Sequence, residues 1–214
     1  MPQSKATVAE TALVQEVIAI VGDAQRLALE VLASEVAACS KCPELYATRT
    51  QTVFGVGKLN PELCFVGEAP GADEDAQGEP FVGRSGKLLT DIINACGFQR
   101  SEVYICNTLK CRPPNNATPS LTQCANCRPW FERQLELVKP KWICCLGAVA
   151  SKNVLGTEVS IGKLRGKVHD LGGIPVVCTY HPAYLLRNPA AKGDCWNDMK
   201  FLLTKMGRPI PVKK

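Results

Sequence analysis

Apolar positions in the first 37 residues recur at helical spacing: Leu13, Val17 and Ile20, then Leu27, Leu29, Leu32 and Val36. Gly22-Asp23 interrupts them, so two helical segments are expected. Residues 1–35 thus read as an N-terminal helical extension, its first part loosely attached. After Cys42 the pattern changes to short apolar runs that alternate with amphipathic stretches. Leu63–Val66, Val103–Cys106, Trp142–Leu146 and Pro175–Thr179 read as strands. Gly86–Ala95, Pro119–Val138, Ala148–Leu155 and Cys195–Lys205 read as helices, the second with Pro in its first turn. Strand and helix alternating in this way predict an α/β fold, a mostly parallel four-stranded sheet sandwiched by helices. Residues 36–207 would form that domain and 208–214 a basic tail.

Parallel sheets bind ligands outside the carboxyl ends of their strands. Three candidate groups follow predicted strands and should meet at that edge: the stretch GEAPGADEDAQGEPFVG from Gly67, then Asn107, then His181. The first looks like a phosphate-cradling glycine loop, yet it carries Glu68, Asp73, Glu74, Asp75 and Glu79. Phosphate loops use backbone amides and a lysine, and carboxylates would repel that ligand. Phosphate binding is excluded there.

Composition changes the picture in two places. The chain carries 25 Lys/Arg and 20 Asp/Glu, but residues 139–214 hold 13 of the former and 4 of the latter. A basic C-terminal third suits a polyanion. No apolar run reaches membrane length, and MPQSKATVAE lacks the order of an export signal, so a cytoplasmic, non-secreted monomer is expected.

The twelve cysteines form the second place. Disulfides are rare in reducing compartments, which leaves metal ligands and packed thiols. Cys64, Cys96, Cys106, Cys144, Cys145 and Cys178 stand in apolar surroundings and read as packed thiols. Cys39 and Cys42 form a C-x2-C pair, with Cys111, Cys124 and Cys127 far along the chain. Four thiolates suit zinc or a [4Fe–4S] cluster, and spacing does not separate the two.

GEAPGADED with PFVGRSG, then NTLKCRPPN, CRPW and HPAYLLRNP, in this order, resemble the family 4, iron–sulfur type uracil-DNA glycosylases over about residues 36–205. The resemblance implies a three-layer α/β/α sandwich and a [4Fe–4S] cluster on Cys39, Cys42, Cys111 and Cys127, with Cys124 left over. It puts the uracil pocket on the backbone of Gly67, Glu68 and Ala69, on Phe81, Asn107 and His181, with Glu74 crowding the pyrimidine 5-position. Leu185, Leu186 and Arg187 would touch DNA. The implied partner is uracil-containing DNA, single- or double-stranded, with the protein at the nucleoid when acting.

The implied chemistry is hydrolysis of the N-glycosidic bond, releasing uracil and leaving an abasic site. Positive charge grows on the sugar and negative charge on the base. A carboxylate below the sugar and a donor at uracil O2, here His181, would stabilise the two. Ala69 stands where better-known uracil glycosylases carry the water-activating Asp, so Glu68 is the candidate, with Asp75 as the second. The chain runs from Asn107 to Cys111 without an inserted basic loop, which favours turnover over covalent trapping, and Schiff-base strand cleavage is not expected. The rival reading is a non-catalytic iron–sulfur DNA-binding protein of the same fold.

Overall fold

The computed structural model describes residues 8–211, with side chains from Ile20 onward. The first seven residues of the expected extension and the last three of the basic tail lie outside them. Six strands form one sheet: β1 (Val56–Gly57), β2 (Cys64–Gly67), β3 (Tyr104–Asn107), β4 (Ile143–Leu146), β5 (Val168–Leu171) and β6 (Ile174–Thr179), in the order β1-β3-β2-β4-β6-β5. The helices are α1 (Val8–Ala37), α2 (Pro43–Thr48), α3 (Ala72–Gln77), α4 (Arg84–Ala95), α5 (Leu121–Val138), α6 (Ala148–Leu155), α7 (Ile161–Leu164), α8 (Pro182–Arg187) and α9 (Lys192–Lys205).

The four expected strands are the parallel centre, β3-β2-β4-β6. The sheet is nevertheless six-stranded and mixed, because β1 and β5 pair antiparallel at its two edges. β5 joins β6 through Gly172 and Gly173, whose φ of 58° and 92° give the left-handed backbone that a two-residue hairpin needs. The Gly-Gly pair was the available signal. The edge strand escapes the periodicity because its residues alternate between exposed and half-buried positions.

Side-chain alternation divides the core into two layers. Leu63, Phe65, Ile105, Cys144 and Val177 face α4 and α9, packing with Leu89, Ile93, Met199 and Leu202. Cys64, Val66, Cys106, Cys145 and Cys178 face the other way, onto Phe131, Leu135 and Val138 of α5 and Val154 of α6. Cys96 at the end of α4 and the strand residues Cys64, Cys106, Cys144, Cys145 and Cys178 are buried free thiols, as the sequence suggests. Among the described residues, no helix is long and apolar enough to cross a membrane.

Two helical expectations need correction. α1 runs unbroken through Gly22-Asp23 and packs against α5, with Leu32 and Val36 buried and Arg133 bridging Glu35 at 2.6 Å. Packing on α5 offsets the roughly 1 kcal/mol that one glycine costs a helix. α5 starts at Leu121, not Pro119: Ser120 caps it, its hydroxyl accepting from Gln123 N at 3.2 Å while Gln123 Oε1 accepts from Ser120 N at 2.9 Å.

Candidate active site and thiolate cage

The loop after β2, the end of β3 and the β6–α8 junction converge on a cavity of about 420 Å³. Glu68, Ala69, Glu74, Phe81, Asn107, His181 and Arg187 line it. Parallel pairing brings Gly67 beside Asn107, and the pairing continues past the strands: Thr108 N donates to Gly67 O, and Leu109 N to Glu68 O, each at 3.0 Å. A side chain at position 67 would come within 2.3 Å of Asn107 Oδ1 and 2.6 Å of Phe81 Cζ. Glycine there leaves room for both groups that form the pocket's floor and wall.

Asn107 is buried, and its Oδ1 has no protein hydrogen-bond partner. An orphaned buried acceptor costs about 1–3 kcal/mol, which a ligand that donates to it would recover. Phe81 holds φ at 56°, a strained value for an aromatic residue, with its ring 5.6 Å from that of His181. Arg100 donates to Pro80 O at 2.6 Å and fixes this segment. Gly86 completes it, since a Cβ there would lie 1.8 Å from Phe81 O.

His181 caps α8, and its Nδ1 accepts from Ala183 N at 3.1 Å. The nitrogen that accepts carries no proton, so in the neutral ring Nε2 carries it and is a donor. Burial, then the Arg187 charge, lowers the pKa of His181 to about 4. The ring is therefore neutral at pH 7 with a fixed donor. Burial also pushes the Glu68 carboxyl above its ordinary value.

The acidic stretch divides its labour. Glu74 lines the cavity, but its carboxylate accepts from Gly71 N at 3.1 Å and from Val82 N and Gly83 N at 3.0 Å each. It clamps two pocket loops together. Asp75 is 3% exposed, does not line the cavity and accepts from Thr50 N at 3.0 and 3.1 Å. Asp73, Glu74 and Asp75 form the first turn of α3, where acids complement the positive helix end. Of the two candidate carboxylates, Glu68 is thus the one that lines the cavity, and the second, Asp75, is turned to the backbone amide of Thr50 instead. Leu185 is also corrected: it is 1% exposed and belongs to the core, whereas Leu186 is exposed and Arg187 reaches the cavity.

A smaller cleft is lined by Cys39, Cys42, Cys111 and Cys127, with Arg49, Asn126 and Trp130. Hydrogen-bond donors point at three of the sulfurs: Arg49 Nη1 lies 2.9 Å from Cys111, Lys110 N 3.3 Å from Cys127 and Asn126 Nδ2 3.5 Å from Cys42. The indole N–H of Trp130 is buried without a protein partner. Cys124 does not line the cleft, and its sulfur takes a bond from Asn153 Nδ2 of α6 at 2.9 Å. Among the described residues, no three His, Cys, Asp or Glu side chains form a single-ion site. Residues Pro113, Asn116, Ala117 and Thr118, between Cys111 and α5, form a wall of the larger cavity. Sequence reasoning missed this wall because its side chains are ordinary loop residues.

The fold and cavity define an α/β protein with a buried amide, an aromatic ring, an imidazole and a carboxylate gathered at the carboxyl edge of its parallel strands. The profile of the uracil DNA glycosylase superfamily matches residues 54–200. The chain is 48% identical over 162 residues to the Type-4 uracil-DNA glycosylase of Thermotoga maritima, covering 75% of this chain and 84% of that protein. It is 40% identical over 192 residues to the Type-4 enzyme of Archaeoglobus fulgidus, covering 86% and 96%, and 42% identical over 181 residues to that of Sulfurisphaera tokodaii, covering 80% and 82%. The chain belongs to the uracil-DNA glycosylase superfamily, in its Type-4 group.

Proposed function

We propose that this protein removes uracil from DNA by hydrolysing its N-glycosidic bond. The observation that carries the reading is Asn107 Oδ1, a buried acceptor without a partner, in one cavity with Phe81, Glu68 and a neutral His181. Uracil fits this set. Its N3–H donates to Asn107 Oδ1, its O4 accepts from the amide NH2, and its ring packs on Phe81. O2, where negative charge grows as the bond breaks, accepts from His181 Nε2. Glu68, ionised, faces the cationic sugar and orients the water that attacks it. Glu74 acts here by clamping the loops that shape the pocket. Leu186 and Arg187 are exposed, Arg187 also lines the cavity, and the two are the groups available to DNA. Release of free uracil from a uracil-containing strand by the purified holoprotein tests the reading.

The donor set fits a [4Fe–4S] cluster on Cys39, Cys42, Cys111 and Cys127. Donors aimed at sulfur stabilise thiolates bound to iron. Held by these four residues, a cluster would tie the segment of Cys39 and Cys42 to Cys111 and Cys127, which flank the stretch that walls the base pocket. Cys127→Ser should lose the brown absorbance and solubility, while Cys124→Ser should keep both. Bleaching of the Cys124 variant alone would overturn the ligand set.

The pH dependence follows from the two titrating groups. Glu68 must be ionised, so single-turnover cleavage should fall as pH drops through its raised pKa, above the ordinary 4.5. His181 stays neutral down to about pH 4 and should add no break near its ordinary 6.5. Glu68→Gln should abolish most activity and flatten the acid limb. An acid limb near 6.5 that survives Glu68→Gln and vanishes in His181→Asn would contradict the assignment.

A further inference from the structure

Lys110 stands inside NTLKCRPPN and has no role in the sequence reading. It is 1% exposed, yet its partners are all carbonyl oxygens: Asn107 O at 2.8 Å, Phe54 O at 3.1 Å and Gln134 Oε1. The rings of Phe54 and Phe131 each lie 5.7 Å from the ammonium. Gln134 is held in turn by Phe54 O at 2.8 Å and the Tyr104 hydroxyl at 2.9 Å. Burying a charge without a counter-ion is costly, and a methionine would fill this space without that cost. The charge therefore needs a use beyond packing.

Its neighbours supply one. The ammonium closes the turn 107–110 onto the carbonyl of Asn107, whose side chain lines the base pocket. The same turn is stitched to Glu68, since Thr108 Oγ1 donates to Glu68 O at 2.9 Å. The backbone amide of Lys110 meanwhile donates to the sulfur of Cys127 at 3.3 Å, and the lysine's charge opposes the upward push that burial gives that thiol. We propose that Lys110 is a positioning residue that joins the two sites: its buried ammonium fixes the main chain of Asn107 in the base pocket while its amide and charge act on the thiolate cage. The inference rests on the glycosylase reading for its effect on cleavage and on the cluster assignment for its effect on the cage.

Lys110→Met tests it, with circular dichroism to establish folding and visible absorbance to establish the cluster. Misplacing Asn107 should slow single-turnover uracil release on the order of 10- to 100-fold, with binding to uracil-free DNA unchanged. Loss of a buried positive charge should move the cluster's midpoint potential to a more negative value, since reduction adds negative charge. A merely structural lysine would not move the potential of a fully loaded, folded protein. Wild-type cleavage in that variant overturns the positioning role, and an unmoved potential overturns the link to the cage. Lys110→Gln keeps an amide donor but removes the charge, so it should move the potential in the same direction and slow cleavage by less. It decides the matter if Lys110→Met does not fold, with wild-type values in both readouts overturning the proposal. Failure of the unaltered protein to release uracil would instead sink the glycosylase reading, and the potential shift still tests the link.

Discussion

His181→Ala is expected to slow single-turnover release of uracil about 100- to 1,000-fold, the usual cost of removing a donor aimed at developing negative charge. In the proposed mechanism the side chain has two separable jobs. Nδ1 accepts from Ala183 N and caps α8, which leaves the proton on Nε2 for uracil O2. Losing the cap costs about 1 kcal/mol of stability, so His181→Asn is the better comparison, since Asn caps a helix well. Asn in this place should hold α8 and still lose most of the rate, with much less effect on binding to uracil-DNA. Burial and Arg187 keep its pKa near 4, so the ring is available as a neutral donor. A charged imidazole would bind the departing base more strongly but would need a partner in this pocket. Equal losses in rate and binding would make His181 a binding residue only.

Asn107→Asp should depress uracil release sharply, because an amide that donates to O4 becomes a second acceptor. Cytosine presents an amine at position 4 and a bare N3, so both contacts with the native amide meet like partners. Each mismatched, water-excluded contact costs about 1–3 kcal/mol, or roughly 10- to 100-fold. The position is inflexible: Gly67 packs against this amide, and Lys110 and the pairing with β2 hold its backbone. The carboxylate could serve cytosine only if it accepted from the amine while a proton reached N3. Comparing rates on uracil and cytosine strands for folded Asn107→Asp and Asn107→Ala checks the claim. Wild-type uracil rates in either would remove Asn107 from the pocket.

The parallel centre of the sheet was legible because buried strands leave continuous apolar runs, such as Leu63–Val66 and Trp142–Leu146. The edge strands were not, since Val168–Leu171 is never fully buried and Val56–Gly57 has two residues. Asn107 and His181 were legible from their places directly after strands. The acids of the Gly67–Gly83 stretch were harder, because a carboxylate that caps a helix and one that faces a ligand look alike in sequence. Glu74 and Asp75 turned to backbone amides, which only the folded loops reveal. Leu185 and Leu186 are adjacent and alike, and the helical phase of α8 alone decides which is buried. Lys110 was invisible for a simpler reason: a lysine in a loop motif reads as solvated until its acceptors are known.

The most direct test of the central claim uses the purified protein and an oligonucleotide with one uracil. Free uracil should appear in step with alkali-labile abasic sites, while the strand stays whole until alkali is added. A matched thymine or cytosine strand should yield nothing. Binding of the uracil strand without release of the base would contradict the account and leave a non-catalytic DNA-binding protein on this fold.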